Sequence, residues 1–486
     1  MSQSMSKGSC ALGIDLGTGS VKTVLLDATG HQLATTSATV RVSSPHAGWA
    51  ESDPEEWWSA VRAAVQELVG MLDGTQDRVG AIGLSAQMHG VVLTTASGEA
   101  LRPAILHLDR RAQKDLDAYR ALPEQVRAVL GNPLVPGMAG PILHWLAANE
   151  PEVLSNADWA LQPKDWLRLR LIGNAGSEPS DASATLLFDL ARSSWAGPVI
   201  AALGLPSGLL PPIGASGAVA GLLDASVASE LGLPPGTPVA FGSADTPAAL
   251  VGTGLSCPGP VQLTVGSAAQ VVTVRDRPDP DPALRYHVFA SAAPGTWYAM
   301  AAVLSAGVAI SWALAAFGAT WEEAYEALAS APPGANGALF VPHLAGARSP
   351  SMNPSAGAGF VGLELHQKRA DMLRAVFEGV AFSIAEAAAT LPEFIDAEVV
   401  HLAGGGTLQA EWRQLLCDIL GKKLLVVENP NASARGAALL GGQAAGIIGR
   451  ITEKPLITRQ VEPDALSHAY LSQVYKRWEQ AAADIS

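Results

Sequence analysis

The feature that most constrains the fold is a β-hairpin pattern that occurs twice, about half the chain apart. The first copy covers residues 11–27, where two apolar runs are joined by a turn of Gly, Thr and Ser residues. The second copy covers residues 261–274 and again places two β-rich runs around a turn of small residues. The similarity is confined to residue types, so it is a weak internal repeat. It predicts two related α/β halves, each opened by its own hairpin.

Length and composition narrow the class of protein. The 486 residues exceed what one core supports at ~150 residues per domain, and a hydrophobic content of 48% allows packed cores. A net charge of −14 argues against broad nucleic-acid binding, which needs clustered Lys and Arg. Cys10, Cys257 and Cys417 lie far apart, without metal-ligand or disulfide spacing, which indicates a reducing, cytoplasmic location.

One uncharged stretch, from Trp297 to Trp321, has the length of a membrane span. It consists mostly of Ala, Ser, Gly and Val, and Gly307 and Ser311 interrupt it. A strand over Trp297–Val303 followed by a buried helix explains the composition better. We therefore expect no membrane association.

Two glycine-rich turns could hold a phosphorylated ligand. In the first hairpin, residues 17–20 expose backbone N–H groups and hydroxyls together, an arrangement that can wrap a phosphate. Later, the predicted strand Val399–Ala403 runs into Gly404, Gly405 and Gly406, and a helix starts near Gln409, so amide donors could point at a ligand. An ordinary hairpin turn and a buried turn without a ligand are the alternatives.

A carboxylate lies at the strand-to-helix junction in the middle of the chain. Residues 239–241 read as a buried strand, and Pro247 suits the first turn of a helix for which Asp245 or Thr246 would be the cap. We expect the helix N-terminus to keep Asp245 ionised. An ionised carboxylate at this position can accept a proton from an alcohol.

A polar segment interrupts another predicted strand. Residues 79–84 and 91–94 are strand-like, and Gln87, Met88 and His89 lie between them, where side chains can face a cleft. A hydrogen-bonded imidazole in the core or at the surface is the alternative for His89.

In this order the stretches resemble the FGGY-type carbohydrate kinases, from about Ala11 to Gly446. The motifs that carry the resemblance are the opening hairpin, residues 48–58, Gln87–Gly90, Pro163–Asp165, Asp245 in its Gly/Ala frame, and Gly404–Gly406 with Trp412 and Arg413. The resemblance implies an α/β fold of two related actin/hexokinase-like (ribonuclease H-like) domains with mixed sheets facing a central cleft. Residues 10–252 would form the sugar, magnesium and phosphate side, and residues 253–486 the nucleotide side.

The resemblance also implies an activity, the ATP-dependent phosphorylation of a sugar hydroxyl. Asp245 would be the general base, and Asp15 would hold Mg²⁺ through water. The implied phosphate and nucleotide contacts are Thr18, Gly19, Ser20, Lys22, Gly266, Ser267, Gly307, Gly405 and Gly406. The implied sugar contacts are Gln87, Met88, His89, His107, Asp109 and Thr246. The Met-His pair favours members that convert D-xylulose to its 5-phosphate over those that act on glycerol.

Several positions depart from the family pattern. His107 replaces a usual Trp and Thr246 a usual Asn, and residues 266–269 read Gly-Ser-Ala-Ala instead of Gly-Thr-Ser-Gly. Ala347 and Ile142 stand where Glu and Lys are common. These departures leave another ketose or a pentitol open as the substrate.

A non-catalytic sensor and an actin-like polymerising ATPase are the remaining alternatives. The sensor should have lost Asp15 or Asp245, and the polymer leaves Met88 and His89 unexplained. The resemblance allows a homodimer.

Overall fold

A computed structural model describes residues 8–71, 75–427, 431–449 and 454–485. The first of its two large sheets is built from seven strands: β1 (Cys10–Leu16), β2 (Ser20–Asp27), β3 (Gln32–Thr39), β4 (Val79–Ala86), β5 (Val219–Leu222), β6 (Pro238–Ala240) and β7 (Ser243–Ala244). Their order is β5-β6-β4-β1-β2-β3, with β7 also paired to β4. Strands β1 to β3 form an antiparallel meander, and β4 runs parallel to β1, β6 and β7.

The second sheet repeats this design. Its strands are β8 (Val261–Val265), β9 (Ala269–Arg275), β10 (His287–Ala290), β11 (Trp297–Val303), β12 (Val399–Ala403), β13 (Lys423–Val427) and β14 (Ile457–Val461), in the order β10-β11-β9-β8-β12-β13-β14. The antiparallel β8–β9 hairpin is followed by β12 parallel to β8 and by β13 parallel to β12. The predicted repeat of a hairpin opening each half is therefore present in the topology.

Helices of nine or more residues cover these sheets in the described part of the chain. They are α1 (Pro54–Met71), α2 (Ala139–Asn149), α3 (Pro163–Ile172), α4 (Asp245–Thr253), α5 (Gly307–Phe317), α6 (Trp321–Ser330), α7 (Arg369–Ala388), α8 (Ala410–Leu420), α9 (Ala432–Ala444) and α10 (Ala465–Ile485). Shorter α-helices span Thr75–Arg78, Leu116–Arg120, Glu124–Arg127, Pro151–Ser155, Pro179–Ala182, Gly197–Ala202, Ala225–Leu231 and Pro392–Asp396.

Short 3₁₀ helices and small two-stranded pairs complete the described secondary structure. The 3₁₀ helices span Arg111–Gln113, Ala128–Leu130, Ser183–Thr185, Ser207–Leu209, Ala335–Gly337 and Gly405–Thr407. The two-stranded pairs join Glu51–Ser52 to Ala104–Ile105, Val92–Thr94 to Trp159–Leu161, Phe188–Asp189 to Ser194–Trp195, and Leu339–Pro342 to Ala358–Val361.

Helix α1 shows how the sequence pattern sets the packing. Its apolar residues Trp57, Val61, Val65 and Leu68 recur at helical spacing, and all four are fully buried in the core beneath the first sheet. Acidic residues in the first turn of α1 suit the positive end of the helix dipole.

Helix α9 comes from the second half of the chain, yet it packs on the first sheet. A Cβ added at Gly13 would overlap the carbonyl of Ala434, and one at Gly83 would overlap that of Ala437. Glycine at these two strand positions therefore lets the helix backbone lie directly on the sheet.

Two predicted boundaries need correction. The helix after the central strand begins at Asp245 rather than Pro247, and its N-cap is Ala244, which makes no side-chain capping hydrogen bond. The uncharged stretch forms β11 and α5, but α5 begins at Gly307 rather than at Leu304, the predicted start of the helix. Within the described ranges, no helix combines the length and apolarity needed to cross a membrane.

Candidate active site

The candidate site begins at one edge of the first sheet, where parallel strands end together. Asp15 on β1 is in register with Ser85 on β4, and Ser85 is in register with Ser243 on β7. Asp245 follows β7 directly, as the first residue of α4. Carboxylates that are far apart in sequence are therefore brought to the ends of two strands that flank β4.

Asp15 is a partly buried carboxylate whose Oδ1 atom has no hydrogen-bond partner in the described chain. Burial raises the pKa of Asp15 to about 6, and Ser85 and Lys22 oppose this shift. Lys22 lies opposite Asp15 on the adjacent strand β2. An orphaned oxygen of this kind is available to a cation or to a metal-bound water.

Asp245 is held by its neighbour in the chain. Its Oδ1 atom accepts hydrogen bonds from the Thr246 amide at 2.6 Å and from the Thr246 hydroxyl at 3.3 Å. Burial, followed by the nearby charge of Asp15, raises the pKa of Asp245 to about 7. Burial and a like charge therefore oppose the helix N-terminus, which we expect to help keep Asp245 ionised.

The first glycine turn lies between β1 and β2, beside Asp15. The Gly17 amide donates to the Ser20 carbonyl, and the amide of Val40 donates to the carbonyl of Gly19. The Thr18 hydroxyl donates to Oε1 of Gln87 at 2.9 Å, so the predicted phosphate contact and the predicted sugar contact hold each other. Gly19 is exposed.

The turn of the second hairpin, at residues 266–267, and the segment Gly404–Gly406 lie side by side on the second sheet. The amides of Gly307 and Val308 at the start of α5 donate to the carbonyls of Gly266 and Ser267, which places the helix N-terminus on the turn. Register pairs Thr264 with Ala403, so residues 266–267 and 404–406 follow neighbouring parallel strands.

Gly404 and Gly405 differ in the space around them. Gly404 has φ +101°, and a Cβ there would overlap the Val265 carbonyl, so only glycine suits this position. A Cβ added at Gly405 would meet no atom within 4 Å, so this backbone faces open space. Within this segment, Gly404 packs closely against β8, whereas the backbone of Gly405 is accessible to a ligand.

Met88 and His89 lie where the polar segment leaves β4. His89 has φ +74°, a strained backbone for a residue other than glycine, and its Nδ1 atom lies 2.7 Å from the Ala184 carbonyl. Burial, followed by Arg348, lowers the pKa of His89 to about 3, so the ring is neutral and Nδ1 carries the proton. The Tyr298 hydroxyl donates to Sδ of Met88 at 3.5 Å.

The other predicted sugar contacts fall into two groups. His107 is close enough to Arg348 that burial and this cation lower the pKa of His107 to about 4, and its buried Nδ1 has no partner among the described residues. The carboxylate of Asp109 instead accepts hydrogen bonds from the Ala50 amide at 2.7 Å and from the Arg111 guanidinium at 2.8 and 3.0 Å. These contacts favour a structural role for Asp109 over a sugar contact.

Sequence reasoning missed four side chains that line this region: His287, Phe289, Tyr298 and Arg348. His287 and Phe289 stack with ring centroids 5.3 Å apart, and Tyr298 lies 5.6 Å from Phe289. A signal for Arg348 was available, since it is the only Lys or Arg between Arg285 and Lys368. The aromatic residues gave no signal that separates them from ordinary core residues.

The described residues contain no cluster of three or more His, Cys, Asp or Glu side chains that could bind a metal by themselves. The unpaired oxygen of Asp15 fits Mg²⁺, because Mg²⁺ keeps several waters and takes few protein carboxylates alongside substrate phosphates.

Comparison with known proteins agrees with this arrangement. Residues 10–252 match the N-terminal domain of the FGGY family of carbohydrate kinases, and residues 261–445 match the C-terminal domain of that family. The chain belongs to the FGGY family of carbohydrate kinases. Its members are enzymes that use ATP as a substrate.

Individual relatives span almost the whole chain. The xylulose kinase of Escherichia coli (strain K12) is 35% identical over 94% of this chain and 95% of its own length. A solved structure of a xyloylose kinase from Brucella ovis has a TM-score of 0.90 at 32% identity and covers 97% of this chain and 98% of its own. The gluconokinase of Bacillus subtilis (strain 168) is 27% identical over 90% of this chain and 88% of its own length.

Proposed function

We propose that this FGGY kinase transfers the γ-phosphoryl group of ATP to the 5-hydroxyl of D-xylulose, with Asp245 as general base. The observation that carries the proposal is the pair of carboxylates, Asp15 and Asp245, at the ends of the two strands that flank β4, with no ion-pair partner among the described residues. The xylulose kinases among the relatives support the choice of sugar.

The chemistry needs only a weak base. The sugar oxygen forms a bond to the γ-phosphorus while the bond from that phosphorus to the β–γ bridging oxygen breaks, and ADP leaves. Because the transition state is loose, positioning and charge neutralisation supply most of the rate. The hydroxyl proton becomes acidic late and passes to a carboxylate oxygen of Asp245, which the two hydrogen bonds from Thr246 orient.

Asp15 is the residue proposed to hold Mg²⁺, through water. When bound, the ion neutralises charge on the phosphate oxygens. Lys22, opposite Asp15 on β2, adds a second positive charge at the same sheet edge.

The turns of the two hairpins, at residues 17–20 and 266–267, are proposed to contact the nucleotide from the two halves. Thr18, Gly19 and Ser20 would approach the phosphates from the first half. Gly266, Ser267 and Gly307 would do so from the second half, where the start of α5 holds the turn in place through hydrogen bonds to the Gly266 and Ser267 carbonyls. Gly405 and Gly406 would lie along the adenosine, which the open space at Gly405 permits. The division at residues 252 and 253 into a sugar side and a nucleotide side is part of this proposal.

A coupled ADP-release assay over a panel of sugars tests the function. We expect turnover with D-xylulose and a product that carries phosphate on its 5-hydroxyl, as identified by NMR. Absence of turnover with every ketopentose would overturn the proposal. A pentitol or another ketose used with at least equal kcat/KM would transfer the assignment to that sugar, as His107 and Thr246 allow.

Three further points belong to the proposal. ATP-dependent light scattering in the absence of sugar would reveal an actin-like polymer, and we expect none. Sedimentation would establish whether the chain forms the homodimer that its sequence allows. We propose a cytoplasmic location from the three cysteines, which are free in the structure.

A further inference from the structure

Arg348 is a cation without a counter-ion at the sugar end of the site. None of the ion pairs among the described residues involves Arg348, and its buried Nη2 atom has no hydrogen-bond partner. Burial lowers the pKa of Arg348 to about 10, which leaves the guanidinium charged at neutral pH. A buried donor of this kind costs free energy unless a ligand satisfies it.

The orientation of Arg348 is fixed by two side chains behind it. Its Nε atom donates to Nε2 of His287 at 3.0 Å, and Nδ1 of His287 faces Oδ1 of Asn132 at 3.3 Å. His287 is therefore the neutral tautomer with its proton on Nδ1, which agrees with a pKa lowered by burial and by Arg348. Asn132 is itself fixed by hydrogen bonds to the carbonyls of Leu130 and Val288.

The groups around Arg348 define what can bind. Burial and the charge of Arg348 lower the pKa values of His89, His107 and His287, so neutral imidazoles surround the guanidinium. No carboxylate among the described residues forms an ion pair with Arg348. We call Arg348 and these three histidines the Arg348 pocket.

Tyr298 links the Arg348 pocket to the proposed base. Asp245 raises the pKa of Tyr298, after burial, whereas Arg348 lowers it, so the Tyr298 ring lies within reach of both charges. No electrostatic contact joins Arg348 directly to Asp245 in the described chain. The Tyr298 hydroxyl also donates to Sδ of Met88 at 3.5 Å, so the ring that senses both charges contacts a predicted sugar-binding residue.

We infer that Arg348 donates hydrogen bonds to an sp² oxygen of the acceptor, at the end remote from the hydroxyl that is phosphorylated. This inference rests on the proposed function and specifies the substrate class, a sugar with a ketone or a carboxylate at its far end. A guanidinium has donors only, and an sp² oxygen is an acceptor only, so the two match. A pentitol offers hydroxyls there instead, which partly satisfy the cation.

Substitution of Arg348 tests the inference through substrate discrimination. In Arg348→Met we expect the KM for D-xylulose to rise about 10- to 100-fold, the range for a lost charge-assisted hydrogen bond. The KM for ATP should stay within about twofold, and kcat/KM for xylitol should change little, so the ketose-to-pentitol ratio falls toward one. Arg192→Met is the matched control, because Arg192 is 81% exposed.

A panel of ligands distinguishes the two possible sources of the sp² oxygen, a ketone and a carboxylate. Dissociation constants from calorimetry for D-xylulose, gluconate and xylitol, measured without ATP, show whether the ketone or the carboxylate is preferred. Use of gluconate but no ketopentose would overturn the proposed function and keep the role of Arg348. A wild-type protein that binds no carbonyl-bearing sugar would overturn both.

The role of Arg348 is wrong if the ketose-to-pentitol ratio of Arg348→Met equals that of the wild type. Thermal melting checks the fold of this variant. Should Arg348→Met fail to fold, Arg348→Lys carries the test, because it keeps the charge but loses the planar donor pair. An unchanged discrimination ratio in Arg348→Lys would then overturn the inference.

Discussion

Two groups of acidic side chains lie close together in the first half of the chain, and they differ in whether a cation pairs with them. In the candidate active site, Asp15 and Asp245 face each other without an ion-pair partner among the described residues, and burial raises both pKa values. Behind that site, three acids surround Lys164, whose Nζ lies 2.7 Å from Asp165, 3.4 Å from Glu178 and 3.2 Å from Asp181.

The second group, which we call the Lys164 network, places its acids around two cations, Lys164 and Arg168. Burial would raise the pKa of Asp165, but Lys164 and Arg168 lower it below its ordinary value. Burial raises the pKa of Asp181 well above its ordinary value, and Lys164 opposes this shift. Each acid of this network therefore has a cation within ion-pair distance.

The Lys164 network supports the segment that leads to Asp245. Lys164 and Arg168 donate to the Phe241 carbonyl at 3.4 and 3.1 Å, and the Ala244 amide donates to the hydroxyl of Ser180 at 2.9 Å. Ser180 in turn donates to Glu178 at 2.7 Å. The comparison teaches that paired acids fix the strand, whereas the unpaired acids at its end are left free for chemistry.

Asp245→Asn is expected to have the largest effect, a loss of activity without a loss of stability. The amide cannot accept the hydroxyl proton, so we expect kcat to fall about 10²- to 10⁴-fold, the range for a lost general base. The melting temperature at neutral pH should be unchanged or higher, because burial raises the pKa of Asp245 and the amide carries no charge, and the KM for ATP should be nearly unchanged. Calorimetry and steady-state kinetics check these expectations. The exposed Asp396→Asn is the control. A variant that keeps a tenth or more of kcat would refute the assignment of the base.

Lys164→Met should have the reverse profile, a loss of stability. It leaves buried carboxylates without their cation, and we expect the free energy of unfolding to fall by about 3–5 kcal/mol. Denaturant titration measures this, with Lys476→Met on the exposed face of α10 as control.

The double variant Lys164→Met/Asp165→Asn should recover part of that loss, since it removes a buried carboxylate together with the cation that pairs with it. If Lys164→Met alone is as stable as the wild type, the network does not hold the strand.

Ser180→Ala tests the connection between the network and the site. It removes the acceptor of the Ala244 amide, so we expect a loss of about 1–2 kcal/mol in stability and a fall of a few-fold in kcat. Ser207→Ala, on an exposed short helix, is the control. A loss of stability with unchanged kcat would show that the network does not position Asp245.

Glu386 extends the comparison to a third, isolated acid. Burial and the nearby Glu479 raise the pKa of Glu386 from 4.5 to about 7, so the folded state loses stability as the pH rises from about 4.5 to about 7. Glu386→Gln should therefore be more stable than the wild type by about 1–3 kcal/mol at pH 8 and equally stable at pH 4. Melting curves at both pH values measure this, with the exposed Glu67→Gln as control. Equal stability at pH 8 would contradict the prediction.

The sequence allowed the hairpins and the strand–glycine–helix segment to be predicted, because their signals are local. Glycine, short apolar runs and the register of a hairpin are encoded within about twenty residues, and β12 has the predicted bounds of Val399–Ala403. Burial depends on distant segments. The raised pKa of Asp245 comes from burial and then from Asp15, and the hydrogen bonds of Asp109 involve Arg111 and the Ala50 backbone.

The site shows the same division. Asp15, Thr18, Gln87 and Asp245 are recognisable by residue type within a motif, although the mutual hydrogen bond of Thr18 and Gln87 is not. Arg348 acquires its environment only when the two halves meet, because His287 and Asn132, which hold it, lie 155 residues apart in sequence. Local patterns therefore identify the catalytic candidates better than the groups that select the sugar.

The seating of α9 on the first sheet has a consequence for any attempt to divide the protein. Because Gly13 and Gly83 admit the α9 backbone so closely, the amino-terminal half expressed alone would expose Ala11, Val24 and Ala81, which this helix covers. Adding residues 432–444 back as a separate peptide should then rescue its solubility. The first sheet is completed by a helix that belongs to the other half in sequence, so we expect the two halves to unfold as one cooperative unit rather than as two modules in tandem.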